Sequence, residues 1–386
     1  MSDEFILFHK PYITNEEIDG VTETLKSGWL TTGPRAIQFE NEFKSHVNSK
    51  YALAANSWTA AGHLALESFD IKEGDEVIIP SITFAATAEI ICYLRAKPVI
   101  VDVQPGTLNI DPRCIEQAIT PKTKAVIPVH FGGQPCDMDE ITEIAKQNNL
   151  LVLEDAAHAF PASYKGKAIG SISDITCFSF YATKPLATGE GGMLCTNNSE
   201  YAERASVMRL HGISKDAWKR YSAEGSWYYE VVAPGFKYNF TDIQAALGLA
   251  QLKKTSFLMN LRIKIKEQYD NAFKSNEFLS VLELKPDRQS SYHLYPIFIQ
   301  VDKLTITRNQ FIEELKKRNI GVSVHFIPLY KHPFYRNSFN LQEKDYPISE
   351  KAFSEIISLP LWPGMTDEQV ERVIGSVISI INNHKR

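Results

Sequence analysis

Short apolar segments alternate with helix-like segments between residues 51 and 197, and this alternation constrains the fold more than any other feature. The strand-like segments are 76–81, 97–103, 125–131, 150–156, 175–180 and 192–197. Residues 113–119 and 139–149, between strands, have the apolar spacing of helices. Uninterrupted apolar strands joined by helices are typical of a mostly parallel sheet covered on both faces. The sequence therefore predicts an α/β fold whose ligand lies beyond the carboxyl ends of the strands.

The pattern changes after about residue 240, where a second and smaller α/β unit is predicted. Residues 241–273 form one amphipathic pattern that is long enough to link two lobes. The segments that follow are a strand at 293–301, a helix at 307–321, a strand-like VSVHF at 322–326 and a helix at 366–383. Both helices begin with a T-x-x-Q capping box. We therefore expect a large domain at 1–250, with the N-terminal segment, and a small C-terminal domain at 251–386.

A further helix is predicted near the N-terminus, in NEEIDGVTETLKSG. Asn15 is its expected cap, acidic residues fill its first turn, and Gly28 ends it. Ile18, Val21 and Leu25 share one face of this helix.

Composition and charge exclude several classes of protein. Hydrophobic residues at 44% and charged residues at 23% are typical of a globular protein, and a net charge of −5 argues against a nucleic-acid partner. The N-terminus lacks the basic and apolar regions of a signal peptide or membrane anchor. Five cysteines without a C-x-x-C pair predict reduced thiols and a cytoplasmic location. Ten histidines show no metal-binding spacing, so no metal site is expected.

A lone lysine follows one of the predicted strands, in FSFYATKPLATGEGG at 178–192. Pro185 disfavours a helical backbone at Lys184. Because a lysine at the end of a buried strand is partly desolvated, its amine pKa falls, which suits it to react with carbonyl groups. The alternative is a surface lysine in a loop, followed by glycines that form a turn.

Other polar residues near strand ends have two interpretations each. Asp155, three residues before His158, either caps the following segment or holds a protonated ring nitrogen. Ser179 and the NSWTAAGH segment at 56–63 either bind a phosphate through hydroxyls and helix N-terminal amides or form an ordinary N-cap. Phe84 is either core or stacks on a planar ring. An amine, a carboxylate, a phosphate site and an aromatic ring together meet the requirements of pyridoxal 5′-phosphate (PLP).

Sequence blocks along nearly the whole chain resemble the DegT/DnrJ/EryC1/StrS family of PLP-dependent nucleotide-sugar aminotransferases. The blocks are SGWLTTGP (27–34), GDEVIIPSITFAATA (74–88), VIPVHFGGQPCDMD (126–139), EDAAHAF (154–160), FSFYATKPLATGEGG (178–192) and PGFKYNFTDIQAALGLAQL (234–252). The resemblance implies the aspartate aminotransferase fold, fold type I, and a homodimer with its active sites at the subunit interface. It is strongest to the branch that aminates C4 of nucleotide-linked 4-keto sugars.

The resemblance also implies roles for the residues around the reactive carbonyl of PLP. Lys184 matches the lysine that joins the cofactor aldehyde, and Asp155 matches the partner of the pyridine nitrogen. His158 matches the residue beside the phenolic oxygen, and Phe84 matches the aromatic residue that stacks on the ring.

Residues for the phosphate and the substrate follow from the same resemblance. Thr59, Ala60 and Ser179 match the phosphate-binding residues, and Asn239 matches an asparagine that reaches the phosphate of the neighbouring subunit. His325 matches a residue near the sugar site.

The chain departs from the family pattern at two positions. Pro185 stands where many members have asparagine, and Trp58 stands where smaller residues are common. Trp58, together with Trp29, His325 and residues 211–232, is a candidate for the sugar site.

The resemblance implies transfer of an amino group from L-glutamate to a keto sugar linked to UDP or dTDP. The most favoured acceptor is a 4-keto-6-deoxy hexose or a 4-keto pentose, for the sugars of surface polysaccharide or lipopolysaccharide. Alternatives are amination at C3, or a non-catalytic sugar-nucleotide sensor with the same fold. The sugar dehydratases of this family carry histidine where Lys184 stands, which argues against that reaction. The motifs also differ from those of amino-acid aminotransferases.

Overall fold

The computed structural model describes residues 4–213 and 228–386. The helices among these residues are α1 (Asn15–Ser27), α2 (Pro34–Val47), α3 (Trp58–Ser68), α4 (Ala85–Tyr93), α5 (Pro112–Ala118), α6 (Met138–Gln147), α7 (Ser199–Met208), α8 (Asp242–Lys253), α9 (Thr255–Phe273), α10 (Arg308–Lys317), α11 (Pro333–Phe339), α12 (Pro347–Glu355) and α13 (Asp367–His384). The strands are β1 (Tyr51–Ala55), β2 (Glu76–Pro80), β3 (Lys97–Val101), β4 (Thr123–Val126), β5 (Leu151–Asp155), β6 (Ser163–Tyr164), β7 (Lys167–Ala168), β8 (Ile175–Ser179), β9 (Gly192–Thr196), β10 (Leu279–Val281), β11 (Arg288–Gln289), β12 (Tyr295–Ile299) and β13 (Ile356–Leu359).

A seven-stranded sheet dominates the fold, with the strand order β1-β9-β8-β5-β4-β2-β3. The five strands from β8 to β3 run parallel, and β9 and β1 add antiparallel pairs at one side. The sheet is therefore mixed but mostly parallel, as the uninterrupted apolar segments predicted.

Helices cover this sheet on both faces. One apolar cluster joins Phe39 and Phe43 of α2 to Val152 of β5 and Phe178 of β8. A second cluster on the opposite face joins α3 and α4 to the alternate residues of the same strands, such as Leu153. Because both faces are buried, the polar side chains inside these strands, such as Glu154 and Thr176, bond to each other, and those that face a ligand lie at the strand ends.

The C-terminal part of the chain builds a smaller antiparallel sheet, β10-β12-β13. This sheet shares an apolar core with α9, α10 and α13. Lys254 separates α8 from α9, so the predicted long amphipathic segment is two helices rather than one. The division into 1–250 and 251–386 remains a proposal, to which the break beside Lys254 gives support. A short third sheet, β11-β6-β7, pairs segments that are distant in sequence.

Two local predictions were wrong. Thr14, not Asn15, caps α1, because the Thr14 side chain and Glu17 form a reciprocal capping box. VSVHF is not a strand; among its residues only Ser323 forms an isolated bridge, to Ser358. The capping boxes that begin with Thr307 and Thr366 are confirmed at α10 and α13.

The apolar face of α1 is largely uncovered by the described residues. Ile18 and Leu25 are each more than half exposed, at 56% and 54%. The buried side chains of α1 are instead Glu17 and Thr24, on the side that packs against α8. None of the described helices combines the length and apolarity that a bilayer span requires.

Candidate active site

A cavity of about 500 Å³ opens at the carboxyl ends of β2, β5 and β8, where the sequence predicts the ligand. It is lined by Ser57, Trp58, Thr59, Thr83, Phe84, Ala86, Thr87, Val129, Asp155, Ala157, His158, Ser179, Tyr181, Thr183, Lys184, Glu190, Gly191 and Phe326. The structure thus brings together six of the predicted site residues: Thr59, Phe84, Asp155, His158, Ser179 and Lys184.

Lys184 lies in the loop that follows β8, and the turn around it is held by the Lys184 amide, which donates to the Tyr181 carbonyl oxygen at 2.8 Å. Its low-dielectric surroundings lower the pKa of the Lys184 amine to about 8, although the Asp155 carboxylate partly opposes that shift. An amine with this pKa is neutral, and therefore nucleophilic, far more often at pH 7 than an exposed lysine.

Asp155 is the last residue of β5 and is almost fully buried. Its Oδ1 accepts from the Ala157 amide at 3.1 Å, and its Oδ2 accepts from the Thr87 hydroxyl at 2.9 Å. Burial raises the pKa of Asp155 to about 6, while these hydrogen bonds and Lys184 act in the opposite direction. The carboxylate both caps the following segment and lines the cavity, so the two interpretations of Asp155 do not exclude each other.

His158 forms another wall of the cavity. Its ring stacks on Phe326, with centroids 5.7 Å apart and planes 22° apart, and lies 4.4 Å from the ring of His293. Burial, followed by the nearby Lys184 and His325, lowers the pKa of His158 well below its ordinary value. His158 therefore offers a neutral imidazole to a ligand.

The opposite end of the cavity is the N-terminus of α3. Ser57 caps this helix by accepting from the Ala60 amide at 3.0 Å, and Thr59 lines the cavity. Ser179, at the end of β8, lines the same cavity, and its Oγ accepts from the Tyr181 amide at 3.4 Å. Helix N-terminal amides and a hydroxyl facing one cavity form a site for a phosphate.

Phe84 stands at the mouth of the cavity with 64% of its surface exposed. Its ring centroid lies 6.1 Å from that of Phe326. An exposed ring of this size on a cavity wall suits stacking on a planar ligand. An amine of lowered pKa, a buried carboxylate, a phosphate site and an aromatic wall in one cavity fit PLP.

Comparison with known proteins gives the same assignment. The sequence profile of the DegT/DnrJ/EryC1/StrS aminotransferase family matches residues 11–378. The chain belongs to this family. It is a PLP-dependent sugar aminotransferase with the fold of PLP-dependent transferases.

Individual relatives cover almost the whole chain. The spore coat polysaccharide biosynthesis protein SpsC of Bacillus subtilis is 50% identical over 380 residues, which are 98% of both chains. The putative sugar aminotransferase Spr1654 of Streptococcus pneumoniae, in its PMP-form, has a TM-score of 0.92 at 34% identity and covers 98% of this chain and 99% of its own. PseC of Helicobacter pylori, an aminotransferase in pseudoaminic acid biosynthesis, has a TM-score of 0.91 at 32% identity and covers 98% of this chain and all of its own, 100%.

Three predicted site residues of this sugar aminotransferase lie outside the cavity lining. Ala60 is one position behind Thr59, and its amide is already bonded to Ser57. Asn239 donates from Nδ2 to the Thr32 hydroxyl at 2.8 Å. His325 is half-buried behind Phe326, where its Nδ1 lies 2.9 Å from the Ser358 hydroxyl.

The suggested sugar-site residues differ in their surroundings. Trp58 lines the cavity, and its indole nitrogen donates to the Cys177 carbonyl oxygen of β8 at 3.0 Å. Trp29 donates to the Thr32 carbonyl oxygen at 3.1 Å and does not line the cavity. Of residues 211–232, the part from 214 to 227 lies outside the described residues.

Sequence reasoning missed several residues of this sugar aminotransferase's cavity. Thr83 and Thr87 are nearly fully buried, and Thr87 bonds directly to Asp155. Tyr181, Thr183 and Glu190 flank Lys184. The i, i+4 spacing of the two threonines around the start of α4 is a signal for Thr87, but it resembles ordinary helix capping. Among the described residues, no group of three or more His, Cys, Asp or Glu side chains is arranged to hold a metal ion.

Proposed function

We propose that this enzyme transfers the amino group of L-glutamate to the C4 carbonyl of a nucleotide-linked keto sugar. The observation that carries the reaction type is the presence of Lys184 and Asp155 in one cavity at the ends of adjacent strands. The acceptor class is supported by the family and by relatives that make spore coat polysaccharide and pseudoaminic acid. The C4 position rests on the resemblance of the sequence blocks alone.

PLP supplies an aldehyde that captures primary amines and a ring that accepts electrons. Lys184 would hold this aldehyde through its side-chain amine. The same amine, when free, would carry the proton that transamination removes from the α-carbon of the donor. Its pKa of about 8 allows the amine to accept and return that proton near neutral pH.

Asp155 holds the proton on the pyridine nitrogen. With a pKa of about 6, its carboxyl group is mostly ionised at pH 7 and attracts the cationic form of the ring. His158, kept neutral by burial, would contact the phenolic oxygen of the cofactor, and Phe84 would stack on its ring. Thr59 and Ser179 would bind the phosphate, and His325 would support the sugar site from behind Phe326.

We place the enzyme in a homodimer in which Asn239 serves the phosphate of the other subunit. Asn239 does not line the cavity of its own chain. Large exposed apolar side chains, among them Ile18, Leu25 and Tyr181, offer a surface that a second copy covers. Five unpaired cysteines suit the reducing cytoplasm.

The proposal is tested with isotopically labelled glutamate and a panel of UDP- and dTDP-linked 3-keto and 4-keto sugars. We expect mass spectrometry to show the label in the product of a 4-keto sugar, together with 2-oxoglutarate. If the label appears only in the products of 3-keto sugars, the position of amination is C3 and not C4. No label in any sugar, with PLP bound, would contradict the proposed function and favour a sensor.

A further inference from the structure

Two buried threonines form a hydrogen-bonded chain that ends on Asp155. The hydroxyl oxygens of Thr83 and Thr87 lie 2.7 Å apart, and Thr87 Oγ1 lies 2.9 Å from Asp155 Oδ2. Thr83 is 2% exposed and Thr87 is 1% exposed. Because both side chains are almost completely shielded, removing one partner leaves the other hydroxyl or carboxylate poorly satisfied.

The direction of this chain follows from what each group can donate. An ionised carboxylate only accepts hydrogen bonds, so the single hydroxyl proton of Thr87 points to Asp155. The hydroxyl contact between the threonines then requires Thr83 to donate to Thr87. A donor that is itself an acceptor is polarised, which strengthens its bond to the carboxylate.

The other oxygen of the Asp155 carboxyl group is held by a different part of the chain. Its Oδ1 accepts from the Ala157 amide at 3.1 Å. The two oxygens are thus held from two separate elements, α4 and the segment after β5, so rotation of the carboxyl group breaks a bond. A carboxylate of fixed orientation is what a partner for a planar ring nitrogen requires.

We propose that Thr87, assisted by Thr83, is a positioning residue that orients Asp155 toward the pyridine nitrogen and keeps it ionised. The inference rests on the proposed function only in so far as Asp155 is the partner of that nitrogen. It does not depend on the identity of the sugar.

Other groups that face Asp155 set the background for any pH measurement. Lys184 approaches from the loop after β8, His130 from the segment after β4, and the Cys177 thiol from β8. None of these side chains is altered in the variants below, so a pH shift caused by Thr87 is measured against a constant background.

The test compares Thr87→Val with Thr87→Ser in the PLP-loaded full-length enzyme. Thr87→Val keeps the shape but removes the donor, so the carboxylate loses a charge-assisted bond and the protonated ring nitrogen loses support. Because a positive ring repels a proton on the Lys184 nitrogen joined to PLP, we expect the pH midpoint of the visible absorption band to rise in Thr87→Val. The rate of the half-reaction with glutamate should fall about 10- to 100-fold, which is the range for one bond to a charged group. Thr87→Ser should restore both values.

Thr176→Val is the matched control. Thr176 is also a buried threonine, and its hydroxyl donates at 3.0 Å to Glu154, the residue that precedes Asp155. Glu154 keeps its bonds to Ser173 and His130 in this variant, and its side chain does not line the cavity. We expect an unchanged absorption midpoint and an unchanged half-reaction rate, with at most a lower melting temperature.

The outcomes separate this inference from the proposed function. An absorption midpoint and half-reaction rate in Thr87→Val equal to those of Thr176→Val would overturn the positioning role. If Thr87→Val does not fold, Thr83→Val replaces it. The absorption midpoint should then rise and the half-reaction rate should fall, each by less than expected for Thr87→Val. An unchanged absorption midpoint in Thr83→Val would also overturn the positioning role. Failure of every sugar acceptor with an intact glutamate half-reaction would contradict the proposed function and leave the Thr87 result standing.

Discussion

At the scale of single residues, the position of Lys184 determines its chemistry. The strand before it is buried on both faces, so the loop that carries the lysine begins in the protein interior. The resulting desolvation, and not a neighbouring cation, is the main reason that the pKa of its amine is about 8.

This pKa predicts how PLP uptake depends on pH. Only the neutral amine attacks the aldehyde, so uptake by protein freed of PLP should rise with pH and level off above about pH 8. Rates of absorbance change after mixing with PLP measure this. Free N-acetyl-lysine provides the control, since it experiences the same ionisations of PLP but should keep rising toward about pH 10. If the rate of PLP uptake by the protein had the same pH dependence as the reaction of N-acetyl-lysine, the lowered pKa of Lys184 would be contradicted.

The sequence predicted these reactive residues but not their supports. Lys184 and Asp155 are visible because a charged residue at the end of an apolar strand is unusual. Thr87 is not visible in this way, since a threonine near a helix start has an ordinary capping function. Its bond to Asp155 spans 68 positions of sequence and depends on how α4 packs beside β5. The roles assigned to the site residues remain predictions until variants are measured.

At the scale of elements, the start of α3 depends on a close approach by β9. A Cβ atom added to Gly192 would lie 2.4 Å from the Ser57 carbonyl oxygen and 2.7 Å from the Trp58 amide nitrogen. Both contacts are to backbone, which has little freedom to move away. This glycine therefore lets the strand pass next to the end of the helix for which we propose phosphate binding, a reason for one glycine in the TGEGG segment.

Gly192→Ala should weaken PLP binding at least about tenfold, because the displaced turn misplaces the amides that face the phosphate. Equilibrium dialysis of PLP measures the effect. Gly375→Ala is the control, since a Cβ atom there meets nothing within 4 Å. Because Gly375 lies inside α13, its replacement by alanine should leave PLP affinity unchanged and raise the free energy of unfolding by about 0.5–1 kcal/mol. Equal PLP affinity in the two variants would contradict this account of Gly192.

Elements with a strong internal pattern were predicted well, and elements defined by a partner were not. The buried strands β2, β3, β5 and β8 follow from apolar runs alone. VSVHF alternates like a strand, but the chain turns away after one bridge between Ser323 and Ser358. Strands of two residues, such as β11, exist only because another segment lies beside them.

At the scale of the whole molecule, the proposed second subunit would explain both the exposed face of α1 and the position of Asn239. Ile18 and Leu25 follow a helical apolar pattern that has no partner within the described chain. Asn239 is held by Thr32, at a site outside the cavity of its own chain.

Subunit mixing tests the shared site. Lys184→Ala and Asn239→Ala should each be inactive or severely impaired, but co-expressed subunits should regain about a quarter of the wild-type sites. Half of randomly formed dimers are mixed, and each mixed dimer has one site with both intact residues. Lys184→Ala mixed with Asp155→Ala is the control, because both residues serve the site of their own chain and no recovery is expected. Absence of recovery in the first mixture would contradict a shared site.

We propose that Lys184 and Asp155 together make this cavity a transaminating PLP site for keto sugars. The most direct measurement is the visible absorption spectrum of the PLP-loaded enzyme, recorded before glutamate, after glutamate, and after a nucleotide-linked 4-keto sugar. We predict a yellow band that fades with glutamate and returns with the sugar, and that is absent in folded Lys184→Ala. An absorption band that stays unchanged with every amino donor, or a Lys184→Ala variant with full turnover, would contradict these roles of Lys184 and Asp155.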